Sequence, residues 1–172
     1  MFNDNNINSG FIFYWKYNNY KGGINMDILD VAKAFLTISS MTQKKLQKLC
    51  YYAQGWYAGL TGKELFQNEL QAWIHGPVSP KLYEIYKPYG YNEIPKICDK
   101  VSNEELKGIV EQIYRIYGKL DGDELEQLTH LESPWIKARN GIEPWVPSNE
   151  IIKFSDMVEY FSNKFKDEQV NA

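Results

Sequence analysis

Apolar residues recur with a helical period along most of the chain. Ile28, Leu29, Val31, Ala32, Phe35 and Leu36 are spaced for an amphipathic helix that starts at Met26 and ends near Ser39 or Ser40. Thr42 then offers an N-cap to a longer helix, in which Leu46, Leu49, Cys50, Ala53, Tyr57 and Leu60 form one apolar stripe and which Gly62 closes. Its opposite face opens with lysines, expected to be solvated, and ends with Gly55, Ala58 and Gly59, smooth enough to receive a second close neighbour. This helix is expected to be central, with its Tyr51 side exposed.

The stretch LFQNELQAWIH, Leu65 to His75, has strand character but alternates weakly, so at most a short strand or hairpin is expected near residues 65–75. Pro77 has no N–H for a ladder, which predicts that the strand stops near His75. Ser79 as N-cap and Pro80 at the first helical position predict a helix from Pro80 to about Lys87, ended by Pro88. Leu82, Ile85 and Tyr86 form its core stripe, while Tyr83 and Lys87 lie on an adjoining stripe that can face a partner. Tyr89 to Asp99 reads as loop. Ser102 and Glu105 spell a capping box for a helix carrying Leu106, Ile109, Val110, Ile113, Ile116 and Tyr117 as far as Gly118. Asp121 caps a further helix through Leu131, and Ser133 with Pro134 opens a short one that ends at Asn140 and Gly141. Ile151, Ile152, Val158, Phe161 and Phe165 line the closing helical segments. The fold class is therefore mainly α, a single compact helical domain.

Composition narrows the function. The chain has 172 residues, a net charge of -3 and no stretch dominated by Lys and Arg, which argues against nucleic acid as the partner. Two cysteines, Cys50 and Cys98, suit a reducing cytosol, and no apolar run is long enough to span a bilayer, so a cytoplasmic protein without membrane contact is expected. Aromatic residues make up 15% and include 13 tyrosines, more than a core of this size absorbs; the exposed remainder favours protein interfaces. Residues 1–25 carry recurrent Asn and aromatics without a period and read as an irregular tail. Lys21-Gly22-Gly23 ahead of Met26 can be encoded by a ribosome-binding sequence, so the functional chain is expected to begin at Met26.

Chemistry is sparse. Cys50, Cys98, His75 and His130 lack the close spacing of a zinc site, a thiol on an apolar helix face is inert, and the carboxylates cluster at helix starts, where they complement the macrodipole. No catalytic residue, metal or cofactor is expected. Two passages stand out instead. In WIHGPVSPKLYEIYKPYG, Trp73 to Gly90, prolines stiffen a corner that presents aromatic side chains, and part of it must also be core. HLESPW, His130 to Trp135, repeats the theme of histidine, Ser-Pro helix start and tryptophan. Either both Ser-Pro starts anchor the same core, or they share a partner surface. Trp73, His75, Tyr83, Lys87 and Trp135 are the candidate partner-binding residues.

These passages occur together in one known family. LQKLCYYAQ at Leu46 to Gln54, Trp73 with Gly76-Pro77-Val78 and Tyr83, His130 with Pro134 and Trp135, and Tyr160-Phe161 follow in the order of the Panacea domain. The chain from about Met26 resembles that family of SocA-like antitoxins and phage-associated GepA-type proteins, assigned here to residues 26–168. The resemblance implies a helical antitoxin module that neutralises a cognate protein toxin by direct binding, with delivery to a cellular protease as a variant role and no catalytic residues. The alternative is a DNA-binding autoregulator of its own operon, for which TQKKLQKL is the one candidate recognition helix.

Overall fold

The structure is a computed structural model that describes residues 24–170. Of the expected tail only Ile24 and Asn25 fall within the described residues, and Ile24 packs partly buried against the core. Seven α-helices and two small antiparallel sheets make up the described chain, in keeping with the expected mainly α class. None of the described helices is long and apolar enough to cross a membrane.

Helix α1 (Ile28–Leu36) is capped by Asp27, whose side chain accepts from the Leu29 N–H, and it buries Val31, Ala32, Phe35 and Leu36. It ends before Ser39 because Thr37 turns its hydroxyl back onto the Ala34 carbonyl at 2.7 Å. Strand β1 (Met41–Thr42) leads into α2 (Gln43–Thr61), capped by Thr42 at the Lys45 N–H and closed by Gly62 at φ 69°. Every residue of α2 from Leu46 to Ala58 is buried, so this helix is enclosed on all sides, as its central role requires. Tyr51, expected at an exposed face, is buried. Its hydroxyl donates to the Glu132 carboxylate at 2.8 Å.

Strands β2 (Gln71–Trp73) and β3 (Gly76–Val78) form a hairpin, with Gln71 opposite Val78, Ala72 opposite Pro77 and Trp73 opposite Gly76. The chain thus turns at Ile74 and His75 and returns as a strand through Pro77, where a strand end is predicted. Pro77 is tolerated because its partner Ala72 directs its hydrogen bonds away, donating to the Glu150 carbonyl at 2.8 Å and accepting from Arg139 at 3.0 Å. Ile151 and Ile152, expected to be helical, extend this sheet: Ile151 bridges Gln71, and the Ile152 N–H donates to Leu70 O at 2.8 Å.

Helix α3 (Pro80–Tyr86) passes into a 3-10 turn over Lys87–Tyr89. Leu82 is buried and Tyr86 half-buried, but Ile85, expected in the core, is 45% exposed. The segment expected as loop contains β4 (Glu93–Ile94), which pairs with β1. Helix α4 (Glu104–Tyr117) takes its cap from Asn103 rather than Ser102, the Asn103 side chain accepting from the Leu106 N–H at 2.9 Å. Asp121 and Glu124 close a reciprocal capping box at α5 (Gly122–His130). Glu132, not Ser133, occupies the N-cap position of α6 (Ser133–Arg139), which Asn140 ends in the left-handed region.

Helix α7 (Phe154–Val170) lies on the back of α2, where a close neighbour is expected. Phe161 fills the space left by two glycines: a Cβ on Gly55 would sit 2.1 Å from its ring, and one on Gly59 would sit 2.7 Å from its carbonyl carbon. The Ser162 hydroxyl donates to Gly59 O at 2.9 Å. Around Phe161 the rings of Tyr51 and Trp56 pack edge-on at 5.8 and 5.4 Å, and Tyr52 stacks on Tyr117 at 3.9 Å.

The backbone approach at Gly59 cannot be relieved by rotating a side chain. Gly59→Ala is expected to cost about 1–3 kcal/mol, lowering Tm by roughly 3–10 °C. Phe161→Ala, which leaves a cavity, is expected to cost about 3–5 kcal/mol. Thermal melts of the two variants check both values.

Candidate partner-binding site

The corner from Trp73 to Tyr83 is built by the β2–β3 hairpin, its two-residue turn and the start of α3. Gly76 has φ +90°, a conformation that disfavours side chains, and a Cβ there would lie 2.7 Å from both Lys48 Cε and Thr129 Oγ1. Among the described residues no further strand pairs with the outer edge of β3. Side chains of α2 take its place: the Gln47 amide accepts from the Ser79 N–H at 2.9 Å and donates to the Ser79 carbonyl at 3.1 Å, while Lys48 Nζ donates to Pro77 O at 3.2 Å. Ser79 does sit at the N-cap of α3, but its side chain makes no capping bond; its buried backbone is held by Gln47 instead.

Three of the five candidate residues meet here. Trp73 is half-buried, donates from Nε1 to Gln71 Oε1 at 2.7 Å and meets the edge of Tyr83 with ring centroids 5.1 Å apart. Trp135 donates from Nε1 to the Trp73 carbonyl at 2.9 Å, so the two Ser-Pro corners join through this bond. Trp135 itself is 5% exposed, stacked on His130 at 4.2 Å and covered by the Arg139 guanidinium at 4.9 Å, and it is a core residue. His75 projects from the turn with 67% of its side chain exposed, its Nδ1 3.0 Å from Glu126 Oε1. Lys87 lies one turn beyond Tyr83, at the start of the 3-10 turn that follows α3, and pairs with Glu84 at 2.5 Å.

Charged groups surround the corner. Lys44 Nζ bridges Asp123 at 2.7 Å and Glu126 at 2.6 Å. Burial alone would lower the Lys44 pKa, but the two carboxylates outweigh it and raise it; Glu126 is lowered despite its burial by the hydrogen bonds from Lys44 and His75. The lysines of α2, expected on a solvated face, are instead engaged. Lys45 donates to Gly118 O at 2.7 Å, and Lys48 is 1% exposed, its pKa lowered to about 7 by desolvation against the partial support of Glu126.

Gln47, Lys48, Glu132 and Arg139 escape the sequence reading. Arg139 is 2% exposed and ties α6 to β2 and to the following loop, donating to the Ala72, Glu143 and Val146 carbonyls at 3.0, 2.6 and 2.6 Å. Glu132 accepts from Tyr51 and Tyr52 at 2.8 and 3.2 Å with Lys164 at 3.8 Å; burial raises its pKa, and these partners restrain the rise. The available signal was the composition of α2: a helix with small or apolar residues on two opposite faces has little surface left for water, so its Gln and Lys need internal partners. The most exposed rings among the described residues also lie outside the predicted set, Tyr91 at 99% and Trp145 at 72%. Among the described residues no group of three or more His, Cys, Asp or Glu side chains gathers to hold a metal ion, and burial pushes the Cys50 thiol up, away from the reactive thiolate.

The buried lysine makes stability depend on pH. Its folded pKa of about 7 lies below the ordinary value of 10.5, so between these limits the unfolded chain binds the extra proton. Stability is therefore expected to rise as pH increases from about 7 towards 10.5, with a slope of at most about 1.4 kcal/mol per pH unit. In Lys48→Met this contribution should vanish. Denaturant titrations of both proteins across that range measure the difference.

Comparison with known proteins gives this geometry a context. Residues 46–136 match the family described as Antitoxin SocA-like, Panacea domain. The span runs from the first turn of α2 through the corner to Ile136 in α6 and takes in Gln47, Lys48, Gly76 and Pro77, while Arg139 lies just beyond it. Antitoxin SocA of Caulobacter vibrioides (strain NA1000 / CB15N) is 27% identical over 131 residues, which cover 66% of this chain and 67% of that protein. No solved structure matches. With more than half of its length matched, the chain belongs to the SocA-like antitoxin family, the Panacea domain proteins.

Proposed function

We propose that the protein is an antitoxin that neutralises a cognate protein toxin by direct, non-enzymatic binding, and that the Trp73–Lys87 corner is the surface it uses. The observation that carries the reading is the bracing of this corner from within. Its backbone is held by Gln47 and Lys48 and its path is set by Gly76, Pro77 and Pro80, so His75 and Tyr83 are offered on a surface that loses little entropy on binding. The family relationship supplies the class of partner. Against DNA recognition by α2 stands the engagement of its lysines: Lys44 is paired with two carboxylates, Lys45 is bonded to Gly118 and lies 5.7 Å from the Tyr114 ring, and Lys48 is buried.

Interface energy concentrates in a few anchors, each worth about 2 kcal/mol or more when truncated. His75 and Tyr83 are the informative ones to remove. His75 is largely exposed and makes a single contact, with Glu126, of little structural worth, whereas loss of the buried Trp135 would cost about 3–5 kcal/mol and imitate a binding defect. The His75→Ala, Tyr83→Ala double variant is expected to melt within a few degrees of the parent. It should nevertheless fail to rescue cells expressing the product of the adjoining reading frame, the toxin candidate that the test uses. Full rescue would place the interface elsewhere, with the exposed Trp145 and Ile136 next to be substituted.

A further inference from the structure

Lys48 occupies a place where an apolar side chain would serve stability better. It is 1% exposed within an enclosed helix, and burying an ammonium is unfavourable even with a partner; replacing such a charge by a hydrophobic side chain of equal volume is commonly neutral or stabilising. The position has nevertheless been shaped around the amine. Gly76 lacks the Cβ that would collide with Lys48 Cε, its φ of +90° bends the chain over the lysine, and the Pro77 carbonyl is aimed at Nζ. One residue earlier, Gln47 holds both polar groups of the Ser79 backbone. Between them the two side chains seize Pro77 in β3 and Ser79 just after it, alternate residues such as a neighbouring strand would pair, so this edge of the hairpin is held by α2 rather than by sheet. Glu126 and Lys44 are the charged groups that act on the amine from α5 and from α2 itself, and Glu126 also holds His75.

We propose that Lys48, together with Gln47, is a positioning residue: from inside α2 it fixes the path of the Gly76–Ser79 backbone, and with it the pose in which Trp73, His75 and Tyr83 meet the protein partner. This rests on the reading of the corner as the partner surface. The lysine touches no partner and acts through the backbone it holds. The competing role is that of an ordinary stabilising core residue, and the two roles predict opposite behaviour when the amine is removed and its methylene stem kept.

The experiment compares the parent chain with Lys48→Met and with the His75→Ala, Tyr83→Ala variant in three measurements. These are thermal melting at pH 7, amide hydrogen exchange of residues 74–79, and rescue from the product of the adjoining reading frame. For Lys48→Met an unchanged or higher Tm is expected. Exchange at the corner should be about ten-fold faster, as loss of one hydrogen bond allows, while the centre of α2 stays protected. Rescue should be weakened. A clearly lower Tm would make Lys48 a stabilising core residue and overturn the proposal, and so would unchanged corner exchange. Faster exchange with full rescue would overturn it as well, provided that the His75→Ala, Tyr83→Ala variant fails to rescue. If that double variant rescues fully, the partner surface itself is misplaced, and the positioning role falls with it.

Discussion

Over Leu46 to Ala58 helix α2 has no side open to water, and this single constraint organises the molecule. An enclosed helix needs apolar neighbours on every side, supplied here by α1, α4, α5 and α7. It also needs an internal partner for every polar group it carries, because an unpaired buried donor or acceptor costs about 1–3 kcal/mol. Gln47 answers by clamping Ser79, Lys48 by holding Pro77, and Gln54 by accepting from the Leu65 and Phe66 N–H groups while donating to Phe66 O. In each case a side chain of the central helix takes up backbone groups of a segment that is not helical. The irregular chain between α2 and α3 is thus folded against the helix by hydrogen bonds of the kind that sheets normally provide.

A pair of buried charged groups secures the other end of the site. Glu132, at the start of α6, gathers the hydroxyls of Tyr51 and Tyr52 from α2 and lies near Lys164 of α7. Arg139, at the end of the same short helix, has no carboxylate among its hydrogen bonds described above; three carbonyls and the face of Trp135 hold it. Helix α6 is only seven residues long and could not keep its position by propensity. Its two charged ends, one tied to the central helix and one to the hairpin, set where Trp135 lies and so where the Trp73 backbone is supported.

The braces are buried, whereas His75, Lys87 and the outer edge of Tyr83 are at the surface. Surface positions on a rigid corner tolerate exchange without disturbing the helices beneath, since substitutions away from buried features change stability by only about 0.5 kcal/mol. The family match ends at Ile136, before α7, although α7 supplies the Phe161 ring that closes the groove at Gly55 and Gly59.

Helix positions, the central place of α2, the smooth face at Gly55 and Gly59 and the proline-stiffened corner were all legible in the sequence. Each rests on local chemistry: period, capping residues and the absence of a side chain or an N–H. Even there, local signals misplaced caps by one residue at Asn103 and Glu132, because several neighbouring side chains can accept the same orphan N–H groups and packing chooses among them. Tertiary structure alone decided which polar residues are interior. Lys48 and Lys45 look alike in TQKKLQKL, yet one is buried beneath Gly76 and the other reaches the Gly118 carbonyl at the end of α4. Pro77 reads as a strand terminator until its neighbour Ala72 is found bonded to Glu150 and Arg139, residues more than sixty positions away. The sequence by itself determined the helices and the corner; whether a charged or polar side chain in them faces water or backbone depends on contacts between distant segments, and only the folded chain brings those into reach.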